Sequence, residues 1–238
     1  MGLLSNPGKG ALICCLAVFA AWGLAPRSNP AADLQGRLAA GEIVFHSQDA
    51  PGSSAKEGEA TGVVEAPPPK VWGVVTDANN FRQFLPRMVN SRLVGFEELK
   101  KILQERPGTP AGVEAILGPE PPDLASFRIP GGKYTGYFYG HVEVPWPLRD
   151  RWYVVRVLWD ESAAARQVYT CSWSLVTGNL REYRGEWRVE PFGEGRTRLT
   201  YRVVTDPGGL APPFLVEEFS TKTLPQVIAG VRARAASR

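Results

Sequence analysis

Five segments in the second half of the chain alternate apolar and polar residues with the period of a β-strand, and short turns separate them. They span residues 134–144, 152–159, 168–176, 181–190 and 197–205. In the fourth segment Tyr183, Trp187 and Val189 alternate with charged residues, so one face is apolar and the other is wet. Short turns between such segments favour antiparallel neighbours. The sequence therefore predicts an antiparallel meander with one dry face.

A long helix is predicted to follow the meander, beginning near Pro212 or Pro213. Its apolar residues recur at spacings of three and four, which gives the helix one stripe that faces the sheet. That stripe consists of Val216, Phe219, Thr223, Val227 and Val231. Pro225 has no amide hydrogen to donate to the carbonyl of Thr221, so a kink is expected there.

The first half of the chain predicts shorter elements. Strands are expected at 42–46, 56–66 and 88–96. Two short helices are expected between the second and third strands, at 67–77 and 79–85. Two small amphipathic helices, 97–106 and 111–117, form a predicted insertion that spans residues 97–122. The whole pattern predicts one α+β domain over residues 42–238, preceded by a linker or short helix at 27–41.

The N-terminal segment 1–26 has the pattern of an export signal. Lys9 precedes a run of apolar residues, 11–25, that ends in small side chains. Since about 18 apolar residues are needed to span a membrane, this run is short for a span. We expect a cleaved signal peptide or, alternatively, a retained membrane anchor. In both cases the domain is expected to be exported, either to the periplasm or to the periplasmic side of the inner membrane.

Charge and residue counts exclude several classes of function. The chain carries 27 basic and 24 acidic residues, and the basic ones are scattered, which argues against a nucleic-acid-binding surface. Two histidines exclude a multi-histidine metal site, and three cysteines cannot form a disulfide scaffold. The sequence has no glycine-rich phosphate loop, nucleophile elbow or CxxC motif. We therefore expect no metal, no cofactor and no nucleic-acid partner.

Four short motifs occur in an order that is typical of a known family. They are VEAP at 64–67, PLRD at 147–150, GEW at 185–187 and DPGG at 206–209. Together with the order of the predicted elements, they make the chain resemble the START-like superfamily of lipid-transfer, polyketide-cyclase and coenzyme-Q-binding domains. The resemblance implies a helix-grip fold. In that fold a curved antiparallel sheet wraps around the long C-terminal helix and leaves an apolar cavity between them.

The resemblance also suggests which residues bind a ligand. Aromatic residues on the dry face of the meander and on the last helix are the candidate cavity residues: Trp173, Tyr183, Trp187, Tyr201 and Phe219. The alternative is that they form a packed core, because protein interiors are close-packed. Arg149 and Arg156 are candidate polar anchors, since a charge in an apolar cavity needs a partner. Alternatively, Arg149 forms a structural ion pair and Arg156 faces solvent.

Trp146 lies between two prolines in a loop of the meander, and the resemblance puts this loop at the mouth of the cavity. An exposed tryptophan suits the boundary between water and lipid. We hypothesise that this loop and the inserted helices of residues 97–122 form a gate that touches a membrane. The alternative is that Trp146 packs onto the core of its own domain.

The favoured hypothesis is a monomeric carrier, not an enzyme, that binds and transfers one hydrophobic small molecule such as a lipid, a quinone or a polycyclic isoprenoid. One alternative is a polyketide cyclase or aromatase that uses the same cavity, with Arg149, a tyrosine or His141 handling protons. Cys171 would need a neighbouring base to act as a nucleophile, and no motif supplies one. Another alternative is a membrane-tethered interaction domain with a solid core.

Overall fold

The computed structural model describes residues 30–53, 55–146, 148–208 and 213–237, and the side chains of 30–32 and 213–220 are outside that description. The predicted leader, residues 1–26, therefore lies outside the described residues. None of the described helices combines the length with the apolar character that a membrane crossing requires.

The described residues form eight strands, which make one curved antiparallel sheet in the order β1-β2-β8-β7-β6-β5-β4-β3. The strands are β1 (Val44–Asp49), β2 (Lys56–Val64), β3 (Met88–Val94), β4 (Lys133–Val142), β5 (Arg151–Asp160), β6 (Tyr169–Gly178), β7 (Glu182–Pro191) and β8 (Thr197–Asp206). The predicted antiparallel meander is therefore confirmed as β4 to β8.

Within the described ranges the sheet is accompanied by five α-helices: α1 (Pro30–Ala39), α2 (Pro68–Val75), α3 (Phe96–Glu105), α4 (Pro110–Ile116) and α5 (Pro213–Ala236). The second predicted short helix is a 3₁₀ helix, Ala78–Gln83. Prolines occupy the first positions of α2, where a missing N–H leaves no helical hydrogen bond unmade. Pro225 lies inside α5, which continues beyond it to its last residue.

The hairpin of β1 and β2 extends the sheet beyond β8, because β2 pairs with β8 rather than with β3. This pairing puts Thr61 opposite Thr200, and their hydroxyl oxygens lie 3.1 Å apart. At the end of the same ladder the Thr197 hydroxyl donates to the Ala66 carbonyl over 2.6 Å, a contact between residues 131 positions apart in sequence. Long-range pairing therefore brings α2 next to the last strand of the meander.

The C-terminal helix α5 packs against β2, β8 and α2 on the concave side of the sheet. The helix buries Leu224, Val227, Ile228 and Val231. Two residues of the predicted stripe, Val227 and Val231, are thus confirmed as sheet-facing, whereas the side chains of Val216 and Phe219 lie outside the described residues. The Arg232 guanidinium donates to the Val63 carbonyl over 2.7 Å, which fastens the end of α5 to β2.

The inserted helices α3 and α4 pack on the convex face of the sheet at β3, β4 and β5. They form a second buried cluster with members Val94, Leu99, Ile102, Val113, Tyr139, Trp152 and Val154. Side chains alternate along a strand, so Tyr139 and Trp152 point away from the face that carries Phe138 and Tyr153. The expectation that the inserted helices gate the cavity is therefore wrong, because the sheet separates these helices from it.

A buried carboxylate ties one end of the sheet to α2. Glu161 accepts hydrogen bonds from Trp72 Nε1 at 2.9 Å and from the Tyr134 hydroxyl at 2.8 Å. The Arg128 guanidinium adds two more, at 3.0 and 3.1 Å. Burial by itself would raise the pKa of Glu161, but these hydrogen bonds outweigh it and hold the pKa below its ordinary value. The folded state therefore favours the ionised carboxylate.

Replacing Glu161 with Gln is expected to lower the free energy of unfolding by about 1–3 kcal/mol at neutral pH, because buried donors lose a charged acceptor. Since folding lowers this pKa, the stabilisation is present above the ordinary glutamate value of 4.5 and is lost as the pH falls through the folded value. Urea unfolding from about pH 7 to about pH 3 should therefore give a difference between wild type and E161Q that narrows in acid.

The exposed Glu120→Gln is the matched control for this measurement, because Glu120 lies in a loop away from the cluster. A difference between wild type and E161Q that stays constant over the whole pH range would contradict the role assigned to Glu161.

Candidate functional site

Two adjoining spaces lie on the concave side of the sheet. The inner space, about 70 Å³, lies between the sheet and the segment formed by α2 and the 3₁₀ helix. The outer space, about 180 Å³, lies between the sheet and α5, and both spaces are partly open to solvent. Both are lined mainly by apolar side chains, and the residues common to the two linings are Leu85, Met88, Tyr153, Tyr183 and Tyr201. The two spaces therefore share a wall.

Aromatic rings from β5 to β8 line the inner space on the side of the sheet. We call them the aromatic wall: Tyr153, Trp173, Tyr183, Trp187 and Tyr201. Trp173 stacks on Tyr201 with ring centroids 5.5 Å apart, and Trp187 lies 4.4 Å from Tyr201. The rings of Tyr153 and Tyr183 are also 4.4 Å apart. Four of the cavity residues predicted from the sequence are thus brought together: Trp173, Tyr183, Trp187 and Tyr201.

The other predicted ligand-binding residues do not join this wall. The side chain of Phe219 lies outside the described residues. Arg149 is exposed and lines neither space. Arg156 is exposed on the convex face, in phase with Trp152 and Val154, so it points away from the cavity. These positions correct the expectation that the two arginines are polar anchors, and Arg156 faces solvent instead.

Two glycines allow rings of the aromatic wall to lie flat against the sheet. A Cβ atom at Gly140 would lie 2.5 Å from the ring of Tyr153, its partner on the adjacent strand. A Cβ atom at Gly185 would lie 2.4 Å from the ring of Trp173, which is likewise its strand partner. Carbon atoms in favourable contact are about 3.5–4.0 Å apart, so a larger residue would push either ring off the sheet. Glycine at these positions therefore leaves room above the rings.

The outer space contains a charged side chain that sequence reasoning missed. Arg151 is the first residue of β5 and lies on the same face as Tyr153, so its side chain lines the outer space. Burial lowers the pKa of this guanidinium. The alternation of Arg151, Tyr153 and Val155 carried the signal, but the predicted strand began one residue later.

The phenols and the thiol that border the two spaces are held in their neutral forms. Burial raises the pKa of Tyr153 and Tyr201 well above the ordinary value of 10.0, and it also raises the pKa of Tyr183. Burial likewise raises the pKa of the Cys171 thiol, which opposes formation of a nucleophilic thiolate. The Tyr183 hydroxyl donates to the Tyr153 hydroxyl over 3.5 Å, and the indole N–H of Trp173 has no partner among the described residues.

His141, a candidate proton carrier, lies on the convex side of the sheet. Its Nδ1 is 3.3 Å from the Glu114 carboxylate of α4, and its Nε2 is 3.2 Å from the Asp150 carboxylate. His141 therefore joins an inserted helix to the loop between β4 and β5, and the sheet separates it from the outer space. In the described ranges no group of His, Cys, Asp and Glu residues could hold a metal ion.

Trp146 is 91% exposed and lies in the β4–β5 loop, residues 143–150. Two other residues of this loop, Val144 and Leu148, line the outer space. The alternative in which Trp146 packs onto its own core is therefore wrong.

Comparison with known proteins identifies the family. Residues 64–232 match the model of a family described as polyketide cyclase / dehydrase and lipid transport. The chain belongs to this family. The matched part of this polyketide cyclase / dehydrase and lipid transport domain runs from the end of β2 into α5, so it includes both spaces and the insertion on the convex face.

An uncharacterised protein of Pseudomonas aeruginosa is 29% identical over 107 residues, which cover 42% of this chain and 53% of that protein. The chain thus spans about half the length of the curated relative that it matches.

Solved structures share the fold at low sequence identity. A STAR-related lipid transfer protein from Xanthomonas axonopodis is 19% identical with a TM-score of 0.57, and the alignment covers 82% of this chain and 93% of that one. Human StAR-related lipid transfer protein 5 is 11% identical with a TM-score of 0.56, covering 87% and 97%. The Zhui aromatase/cyclase from Streptomyces sp. R1128 is 16% identical with a TM-score of 0.53, covering 77% and 95%. These likenesses establish the helix-grip fold of START-type proteins.

Gly140→Ala is expected to lower the free energy of unfolding by about 1–3 kcal/mol, because the added methyl group displaces the Tyr153 ring. Gly73→Ala in α2 is the matched control, since nothing lies within 4 Å of its Cβ position. That control should be neutral or stabilising by up to about 1 kcal/mol, as alanine favours a helix. Denaturant unfolding measures both, and the same sign for the two variants would contradict the close packing described here.

Proposed function

We propose that the chain is a carrier that binds one hydrophobic small molecule between the sheet and α5. The observation that carries this proposal is the outer space, about 180 Å³ with largely apolar walls from the sheet, the β4–β5 loop and α5. Removing apolar surface from water is favourable by about 25 cal/mol per Å², so burial of about 200 Å² supplies about 5 kcal/mol without any reactive group. The proposed ligand classes are a lipid, a quinone and a polycyclic isoprenoid.

Ligands of these classes need more room than the described residues leave. Pockets that bury a drug-sized molecule measure about 300–1,000 Å³, so the walls of the outer space must separate on binding. We propose that the aromatic wall stays in place, because its backbone belongs to the hydrogen-bonded sheet. The moving parts are then the β4–β5 loop and the segment of α5 that carries Thr223 and Leu224. The existence of the space speaks against an interaction domain with a solid core.

A polyketide cyclase-type enzyme is the second candidate, and the family description includes that activity. The observation that favours it is a group of three phenols, Tyr153, Tyr183 and Tyr201, which line the same space as Arg151. These groups could donate hydrogen bonds to the carbonyls of a bound polyketide. The proton carriers expected from the sequence, His141 and Arg149, lie off the cavity, so catalysis would have to use the phenols.

We also propose that the mouth of the outer space meets a membrane surface through Trp146. Tryptophan favours the boundary between lipid and water, and this side chain is almost fully exposed beside two residues that line the space. A ligand could then pass between bilayer and cavity without crossing water. The proposed setting is the periplasm or the periplasmic side of the inner membrane, and the support for export is the apolar run at residues 11–25.

Val203→Phe is expected to weaken binding of the neutral apolar dye Nile red at least about tenfold, because the larger side chain fills the outer space. Val203 is buried on β8 and lines that space. Val176→Phe on β6 is the matched control, since Val176 is exposed. Fluorescence titration gives the two Kd values, and wild-type affinity in V203F would refute the proposed site.

Native mass spectrometry of the purified protein then separates the two candidate functions. A carrier retains a lipophilic molecule and releases it with its mass unchanged after incubation. An altered mass of the bound molecule would favour the enzyme.

Trp146→Ala is expected to reduce co-sedimentation with vesicles of phosphatidylethanolamine and phosphatidylglycerol at least about threefold, because the indole no longer inserts at the interface. Phe96→Ala is the matched control, since Phe96 is 70% exposed but begins α3 on the convex side. An equal loss of sedimentation in both variants would argue against a membrane contact at the mouth.

A further inference from the structure

Arginines on the convex face show how this sheet accommodates a guanidinium. Those of β7 and β8 each lie within ion-pair distance of a carboxylate, in the pairs Arg184–Glu182, Arg188–Glu190, Arg198–Glu190 and Arg202–Glu59. They are also exposed or half-buried at the sheet surface. The arginines of these two strands therefore have both a counter-charge and access to water.

Arg151, on the concave face, has no such partner among the described residues. Its guanidinium has no hydrogen bond, ion pair or ring contact with any described residue. It is also the single charged side chain among the described residues that line the outer space. Carboxylates carried by neighbouring segments have other partners: Asp150 lies 3.2 Å from His141, and Asp206 lies 3.3 Å from Arg181.

The surroundings of Arg151 make the lack of a partner for its guanidinium unfavourable for the free energy of folding. Most of the other residues that line the outer space are apolar, among them Val142, Val144 and Leu180. A half-buried cation among apolar groups loses hydration without gaining a partner. Consistent with that, burial lowers the pKa of the guanidinium, which nevertheless stays protonated at neutral pH. The guanidinium therefore gains no ion pair or hydrogen bond from the described residues that would offset its lost hydration.

A guanidinium offers a planar set of N–H donors that matches the oxygens of a carboxylate or a phosphate. Such bonds are strengthened when the site excludes water. Arg151 lies in the outer space but not in the inner one, whereas the tyrosines of the aromatic wall border both. A polar group at Arg151 would thus leave the rest of its molecule directed along the tyrosines.

We infer that the ligand is an amphiphile with an anionic head group, that Arg151 binds this head group, and that the apolar tail lies against Tyr153, Tyr183 and Tyr201. This inference rests on the proposed function and narrows its ligand classes, because it puts a carboxylate or phosphate lipid before a neutral quinone or isoprenoid.

The test is displacement of Nile red by four probes with the same twelve-carbon chain: dodecanoate, dodecyl phosphate, dodecan-1-ol and dodecyltrimethylammonium. Below their micelle concentrations, wild type should bind at least one anion at least about tenfold more tightly than the alcohol, and the cation most weakly. The ratio of the two anion affinities then distinguishes a carboxylate head group from a phosphate.

Arg151→Gln should weaken binding of the preferred anion at least about tenfold and leave dodecan-1-ol within about twofold. Arg156→Gln is the matched control, because it makes the same change on the convex face of the same strand. Arg151→Lys keeps the charge and should retain most of the preference for the anion. R151Q should also be at least as stable as wild type in denaturant unfolding, since it removes an unpaired charge.

Equal binding of both anions and the alcohol by wild type would overturn this inference and leave the hydrophobic site intact. A preference for anions that R151Q retains in full would overturn the assignment to Arg151. Failure of wild type to bind Nile red or any of the probes would overturn the proposed function together with the inference.

Discussion

A single helix cannot cover the whole concave face of an eight-stranded sheet, and the structure of this domain follows from that constraint. Alternation along β5 to β8 sends large rings to the concave side. α5 packs over β2 and β8, and α2 with the 3₁₀ helix packs over the other end of the rings. Neither segment packs tightly against the sheet beneath it, and the gaps that remain are the inner and outer spaces. The candidate site is therefore the part of the dry face on which the described second layer does not close.

The shape of these spaces depends on how the rings lie. Close-packed interiors normally fill such a gap with side chains that stand up from the sheet. Here Gly140 and Gly185 have no side chains, so the rings of Tyr153 and Trp173 lie flat over the backbone of the neighbouring strand. The rings then pack against one another, stacked for Trp173 and Tyr201 and tilted for Tyr153 and Tyr183, and form the aromatic wall beside the cavity. The same rings that complete the hydrophobic core thus also bound the cavity, and packing and binding use one set of residues.

The two faces of the sheet also differ in whether their arginine side chains have carboxylate partners. Guanidinium groups on the convex side of β7 and β8 have carboxylate partners, while Arg151 on the concave side has none among the residues that the structure describes. The three solved structures compared above are only 11–19% identical to the chain, so the common architecture does not carry the chemistry of the site. That chemistry comes from individual residues such as Arg151 and the phenols beside it. The inserted helices pack on the convex face. On the same face His141 joins α4 to the β4–β5 loop through Glu114 and Asp150.

Local periodicity was sufficient for the sequence by itself to determine the strands of the meander and the long last helix, because these depend on neighbours in the chain. It also determined that the dry face of the meander carries the aromatic residues Trp173, Tyr183, Trp187 and Tyr201. It could not assign Arg156 to a face, since β5 is apolar on both sides: one side lines the cavity and the other lies under α3 and α4. Only the tertiary structure decided that Arg151, rather than Arg149, enters the outer space. That choice depends on strand pairing and helix packing between segments far apart in sequence, which no local pattern records.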